Sequence, residues 1–400
     1  MSVPLLRLLC CALCIAAAGS AATPAPRFAS PLPDPLTATD GTRIQSRDQW
    51  AKRRAEIVQL FASEVYGRAA VGRPAQLDFD VTEKDAPAFD GTARRRLVDI
   101  KYAGPGGEGT IALRLYLPPA DVKPKGCFVL IVNRDRAIIT DAEAKPMEFW
   151  PAKDIVARGY IAAAFHNSDV AVDEKTDSWT SGVFKIFGPS LADRKPDDWG
   201  TIAAWSWGAS RVVDYLRSDV ELSPLPIAVV GHSRGGKAAL WCGAQDDRVA
   251  LTISNNSGSS GAALARRTRG ETVQRINTKY PYWFSGNYKK YHNREETLPV
   301  DQHLLIAAIA PRRVYVASAS ENATADPAAE FGACVAAEPA FRLFGVSGVG
   351  VTALPAVDTP VHQGSVGYHM RAGMHDLKGW DWQQFMTYTD RHWTTVSFIR

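Results

Sequence analysis

The spacing of apolar positions changes about a third of the way along the chain. Up to residue 117 it alternates. Strand patterns lie near 76–82 and 94–102, and a third at 110–117 sets Ile111, Leu113 and Leu115 on one face. From residue 127 the apolar runs become continuous. The stretches 127–132, 160–165 and 227–230 read as strands buried on both faces. Further strand patterns fall at 251–254, 313–317 and 366–369. Helical patterns separate them near 150–157, 201–216 and 234–244, and a final helix is expected at 380–393. A first helix is expected from a Ser46 cap to about Tyr66, with Ile57, Leu60, Phe61 and Val65 inward and Gly67 stopping it. Antiparallel strands followed by strand–helix alternation predict an α/β fold, a mostly parallel sheet between two helix layers. Two stretches, 278–294 (rich in aromatics) and 340–365, read as insertions over the strand ends, where open parallel sheets build their sites.

Length and composition fit this picture. The chain has 400 residues, 46% hydrophobic and 22% charged, enough for one large packed domain. We assign that domain to residues 46–400, after a tail or linker at 23–45 rich in Pro, Ala and Thr. Residues 1–22 read as a signal peptide. Arg7 precedes an apolar run from Leu8 to Ala18, and small residues place the cut near Ala21–Ala22. That run is too short to span a bilayer, which needs roughly 20 residues. The expectation is a secreted or periplasmic protein with no membrane attachment after cleavage. Three cysteines remain, Cys127, Cys242 and Cys334, and an odd number cannot all pair internally. No Cys/His spacing suggests a metal, and no cofactor is implied. Net charge is +4, or +3 once Arg7 leaves, too mild to suggest nucleic acid. A monomer is expected.

The chemistry concentrates in Gly231-His232-Ser233-Arg234-Gly235-Gly236-Lys237. A buried strand pattern precedes it and a helix pattern follows. That is the context a G-x-S-x-G nucleophile elbow requires, with a serine raised on a strained turn and small residues beside it. A serine hydroxyl needs a base, and in this arrangement the base lies downstream. Of the downstream histidines, His375 fits best: it lies in the Gly-bearing loop 372–376, after a strand pattern and before the last helix. His369 and His303 read as packed residues. The Arg234 backbone N–H can serve an oxyanion, and its guanidinium adds charge there. Lys237, one helical turn after Ser233, can reach a polar group of a bound substrate.

These residues resemble the elbow of the glucuronoyl esterases, carbohydrate esterase family fifteen, in its bacterial branch. The similarity extends through 199–205, 254–258, Asp301-Gln302-His303, 309–312 and 372–377 with Asp381-Trp382. The resemblance implies an α/β-hydrolase fold as a three-layer α/β/α sandwich. It implies a serine esterase that cleaves 4-O-methylglucuronate esters between xylan and lignin alcohols. Ser233 would attack, His375 would move the proton, Arg234 would hold the oxyanion and Lys237 would bind the uronic acid. Glucuronoxylan or a lignin–carbohydrate ester would be its substrate. The family's two usual acid positions correspond here to Asn256 and Asn322, and its substrate-contacting tryptophan to Thr324. Glu321 is therefore the expected acid, with Asp326 second. Trp283 is a candidate for stacking on a sugar or for the core. Serine at 259 and 285 replaces a cysteine pair of many relatives. Two other readings remain: a carbohydrate or small-ester hydrolase with an altered pocket, or a weakly active or inactive uronate-binding protein.

Overall fold

The computed structural model describes residues 30–267 and 269–393. The expected signal peptide lies outside the described residues. Nine strands form one sheet: β1 Gln76–Ala88, β2 Ala93–Gly104, β3 Gly107–Leu117, β4 Cys127–Val132, β5 Ile161–His166, β6 Ile227–His232, β7 Leu251–Asn255, β8 Arg313–Ala319 and β9 Val366–Arg371. Their order is β1-β2-β3-β5-β4-β6-β7-β8-β9. β1, β2 and β3 pair antiparallel, and β3 joins β5 antiparallel. From β5 to β9 every pairing is parallel.

The continuous apolar runs have a structural cause. Along β4, Cys127, Val129 and Ile131 enter the core on one face, while Phe128, Leu130 and Val132 enter the core on the other. Side chains alternate in direction along a strand, so a strand covered twice must be apolar at every position. The first face is covered by helices that include Arg47–Phe61, Thr201–Ser218 and Arg234–Gln245. The second is covered by Ala152–Ala157 and Gly379–Trp393. This is the expected α/β-hydrolase sandwich.

The first helix begins as expected, with Ser46 accepting from Gln49 in a capping box. Its last turn, Ala62–Tyr66, is a π-helix, and Gly67 leaves it at φ 88°. Residues 30–45, expected as a tail or linker, instead lie against the domain. Ile44 is buried, His303 bonds the Pro33 carbonyl at 2.7 Å, and Arg53 donates to the Pro35 carbonyl. Composition alone hid the polar contacts among these, because they are made by backbone carbonyls. Cys127, Cys242 and Cys334 are free and buried. Among the described residues, no helix is long and apolar enough to cross a membrane.

Candidate active site

β6 ends at His232 and the helix Arg234–Gln245 starts two residues later, so Ser233 must turn the chain alone. It does so at φ 58° and ψ −121°, a conformation L-residues rarely hold. The Ser233 N–H is pinned to the Asn255 carbonyl at 2.8 Å. Gly231 is sterically compulsory: a Cβ there would stand 2.0 Å from the Gly235 carbonyl oxygen. At Gly236 the nearest atoms would be 3.0 Å away, and at Gly235 3.2 Å. The tightness expected of all three is therefore concentrated at Gly231. Arg234 occupies the first helical position, where a backbone N–H has no intrahelical partner and faces the end of the dipole that favours negative charge.

Ser233, Arg234, Lys237, Trp283 and His375 line one cavity of about 360 Å³, together with Asn256, Glu271, Tyr280, Asn322 and Thr324. Lys237 is 4% exposed. Its ammonium donates to the carbonyl of Ser257 at 2.5 Å and to that of Ser259. Burial pushes it down to about 8. Arg234 pairs with Asp173. Asp173 also accepts from the Trp283 indole at 2.7 Å and the Tyr282 hydroxyl at 3.1 Å. The guanidinium lies 5.6 Å from the centre of the Trp283 ring. One face of Trp283 is taken by Tyr280, parallel at 3.7 Å. The indole thus serves as a buried wall that steadies Asp173 and Arg234, and Tyr280 is the more exposed ring at the cavity. Asp173 carries no signal in the sequence, because it comes from a polar loop after β5.

His375 sits on a stapled loop. Arg371 donates to the carbonyls of Ala372, Met374 and Asp376, and its Nε donates to Asp381 at 3.0 Å. Asp381 is wholly buried and also faces His369 Nε2 at 2.7 Å and accepts the Lys378 N–H. His369 is therefore structural, as the strand pattern implied. Asp381→Asn is expected to cost about 3–5 kcal/mol, the scale for breaking a buried ion pair on one side. Urea unfolding measures this, and a change below about 1 kcal/mol would contradict the staple.

The expected acid is not beside this histidine. Nδ1 of His375 lies 2.8 Å from Nδ2 of Asn322. Glu321 is exposed, and its backbone N–H bonds the Gly373 carbonyl. Asp326 is spent as the N-cap of the helix Pro327–Ala336, accepting from Ala329. In this turn the Asn322 side chain is buried and that of Glu321 is exposed, so a carboxylate one position early faces solvent. Burial, and then the charges of Lys237 and Arg134, push His375 down to about 4. Beside it, 4.5 Å between ring centres, is His232, held well below its usual range by burial and by His375 itself.

A serine elbow, a loop histidine and a buried lysine line one cavity, an arrangement that fits ester cleavage. Comparison with known proteins names its family. The sequence model described as "Glucuronyl esterase, fungi" matches residues 144–345. Carbohydrate esterase MZ0003, from an unknown prokaryotic organism, is 37% identical over 91% of this chain and 90% of its own length. The chain belongs to the glucuronoyl esterase family.

Solved members of this family share the fold closely. A glucuronoyl esterase from Solibacter usitatus superposes with a TM-score of 0.84 at 35% identity, covering 91% of this chain and 98% of that one. A promiscuous family-fifteen esterase from a marine bacterial metagenome gives 0.81 at 35%, covering 92% and 98%. Among eukaryotic relatives, the 4-O-methyl-glucuronoyl methylesterase of Schizophyllum commune is 28% identical over 79% of this chain and 74% of its own. This glucuronoyl esterase family member is a carboxylic ester hydrolase of the α/β-hydrolase fold.

Proposed function

We propose that this esterase is exported and cleaves glucuronoyl esters, including 4-O-methylglucuronate esters that join xylan to lignin alcohols, through an acyl-enzyme on Ser233. The observation that carries this reading is the position of Lys237. A buried ammonium with two carbonyl partners borders the serine cavity, and it keeps a third N–H donor for a ligand. A sugar acid supplies the acceptors that such a group needs. In the proposed reaction, Ser233 Oγ adds to the ester carbonyl and its proton passes to Nε2 of His375, in the fraction of rings that carry their own proton on Nδ1. The developing oxyanion faces the Arg234 N–H and guanidinium. The alcohol leaves with the proton from His375, and water repeats the sequence to release the acid. Names of relatives agree with this substrate class.

A second reading rests on Thr324. It lines the cavity and is exposed, where the family pattern has a tryptophan, and this leaves room for other esters. One comparison separates the two: kcat/KM on benzyl glucuronate against kcat/KM on an acetylated xyloside. Preference for the uronate ester by at least tenfold is expected. Faster release of acetate would favour the altered-pocket reading.

A further inference from the structure

Each amide around His375 has its orientation fixed by a group that can play only one hydrogen-bonding role. An Arg134 nitrogen, always a donor, lies 3.3 Å from His232 Nε2, so the His232 proton is on Nδ1 and points at Asn255 Oδ1, 2.6 Å away. Asn255 Oδ1 then accepts from Asn256 Nδ2 at 3.1 Å. The same Nδ2 donates at 3.2 Å to the Asp376 backbone carbonyl, always an acceptor. Asn256 must therefore present Oδ1 to Asn322, whose Nδ2 donates to it at 3.0 Å. The Ala325 backbone N–H, always a donor, meets Asn322 Oδ1 at 3.3 Å and fixes the same orientation. Asn322 Nδ2 then donates to His375 Nδ1 as well. Three anchors at separate points of the network agree, and a network in which every role is forced determines the histidine tautomer. Nδ1 of His375 is an acceptor, and the neutral ring carries its proton on Nε2.

This arrangement changes what the cavity offers. A serine base needs Nε2 free, whereas here Nε2 is a donor. Its neighbours along the cavity also carry donors: the Ser233 hydroxyl, which can donate or accept, the Arg234 guanidinium, paired with Asp173, and the Lys237 ammonium. The carboxylate lining the same cavity is Glu271. Such a set suits an anion better than a neutral ester. We propose that Asn322 presets His375 as a hydrogen-bond donor, so that the cavity holds the free carboxylate of a uronic acid more tightly than it holds the ester. Asn322 is a positioning residue in this account. The inference rests on the uronate reading given above and adds a built-in retention of the acid product.

The test uses the whole chain and two probes, glucuronate and its methyl ester. Calorimetry should show the acid binding at least tenfold more tightly than the ester does to Ser233→Ala, where the ester survives. In Asn322→Asp the new carboxylate accepts the Nδ1 proton and frees Nε2. Ester turnover should then rise by at least about 10²-fold, toward the ~10⁴ that a wrong histidine tautomer costs a serine protease, and glucuronate affinity should fall at least tenfold. Since that carboxylate also faces Asn256 Oδ1, the wild type supplies a check that needs no substitution. Imidazole ¹⁵N spectra, assigned with His375→Gln, should show His375 protonated at Nε2 and bare at Nδ1. A proton on Nδ1, or equal affinity for acid and ester, would overturn the inference. If glucuronate binds as expected but neither protein cleaves the ester, the proposed activity fails and the anion site stands. If neither probe binds, both fail.

Discussion

Replacing Ser233 with alanine will lower kcat/KM on a glucuronoyl ester by about 10²–10³-fold, far less than the same change costs an enzyme with a complete triad. The members of a triad act as a unit, so their losses do not add. In a complete triad, loss of the serine costs about 2 × 10⁶ and loss of the acid alone about 3 × 10⁴. Here the position facing His375 Nδ1 is already an amide, Asn322. Most of the acid's share is absent before Ser233 is touched, and about 10² remains to be lost. What survives in Ser233→Ala comes from the cavity itself, through Lys237, Arg234 and the helix N-terminus. Steady-state kinetics on benzyl glucuronate measures the ratio. Activity unchanged in Ser233→Ala would remove the serine from the mechanism. A loss near 10⁶ would mean that His375 is properly oriented by some other group.

Lys237→Met should lower kcat/KM by about 10–100-fold, mainly through KM, the scale of a lost charge-assisted hydrogen bond of about 1.5–3 kcal/mol. The pH profile distinguishes this from structural damage. In the wild type, kcat/KM should rise as His375 loses its proton near pH 4, and fall as Lys237 loses its own near pH 8. Burial is the first cause of the low His375 value, and the Lys237 charge is the second. Without that charge the acid limb must move up, toward the ordinary imidazole value of 6.5. The alkaline limb near pH 8 should vanish. An unshifted acid limb would show that Lys237 and His375 do not share the site.

The pattern of apolar positions carried most of the fold, because burial on both faces leaves no room for polar alternation in β4, β5 and β6. The elbow was legible for a related reason. Gly231 lies so close to Gly235 that no side chain fits, and such a demand leaves a mark in the sequence. His375 could be placed from chain order and from the glycine in its loop. The residues around it could not. Asp173 steadies Arg234 from a loop with no periodicity, and Arg134 sets the His232 tautomer from the turn after β4. The acid failed for a more specific reason. Reading charge along the loop favoured Glu321, but loop direction decides which side chain is buried, and that side chain is Asn322. Trp283 was open between sugar contact and core, and it is wall rather than platform because Tyr280 covers its face.

The central claim is that Ser233 is the nucleophile of this esterase. A fluorophosphonate forms a stable bond to an activated serine oxygen, with loss of fluoride, and mass spectrometry of the digested protein locates it. The account predicts a single adduct on the peptide carrying Ser233, slowed by glucuronate and absent from Ser233→Ala. An adduct at another serine, or labelling of Ser233 that glucuronate does not slow, would contradict it.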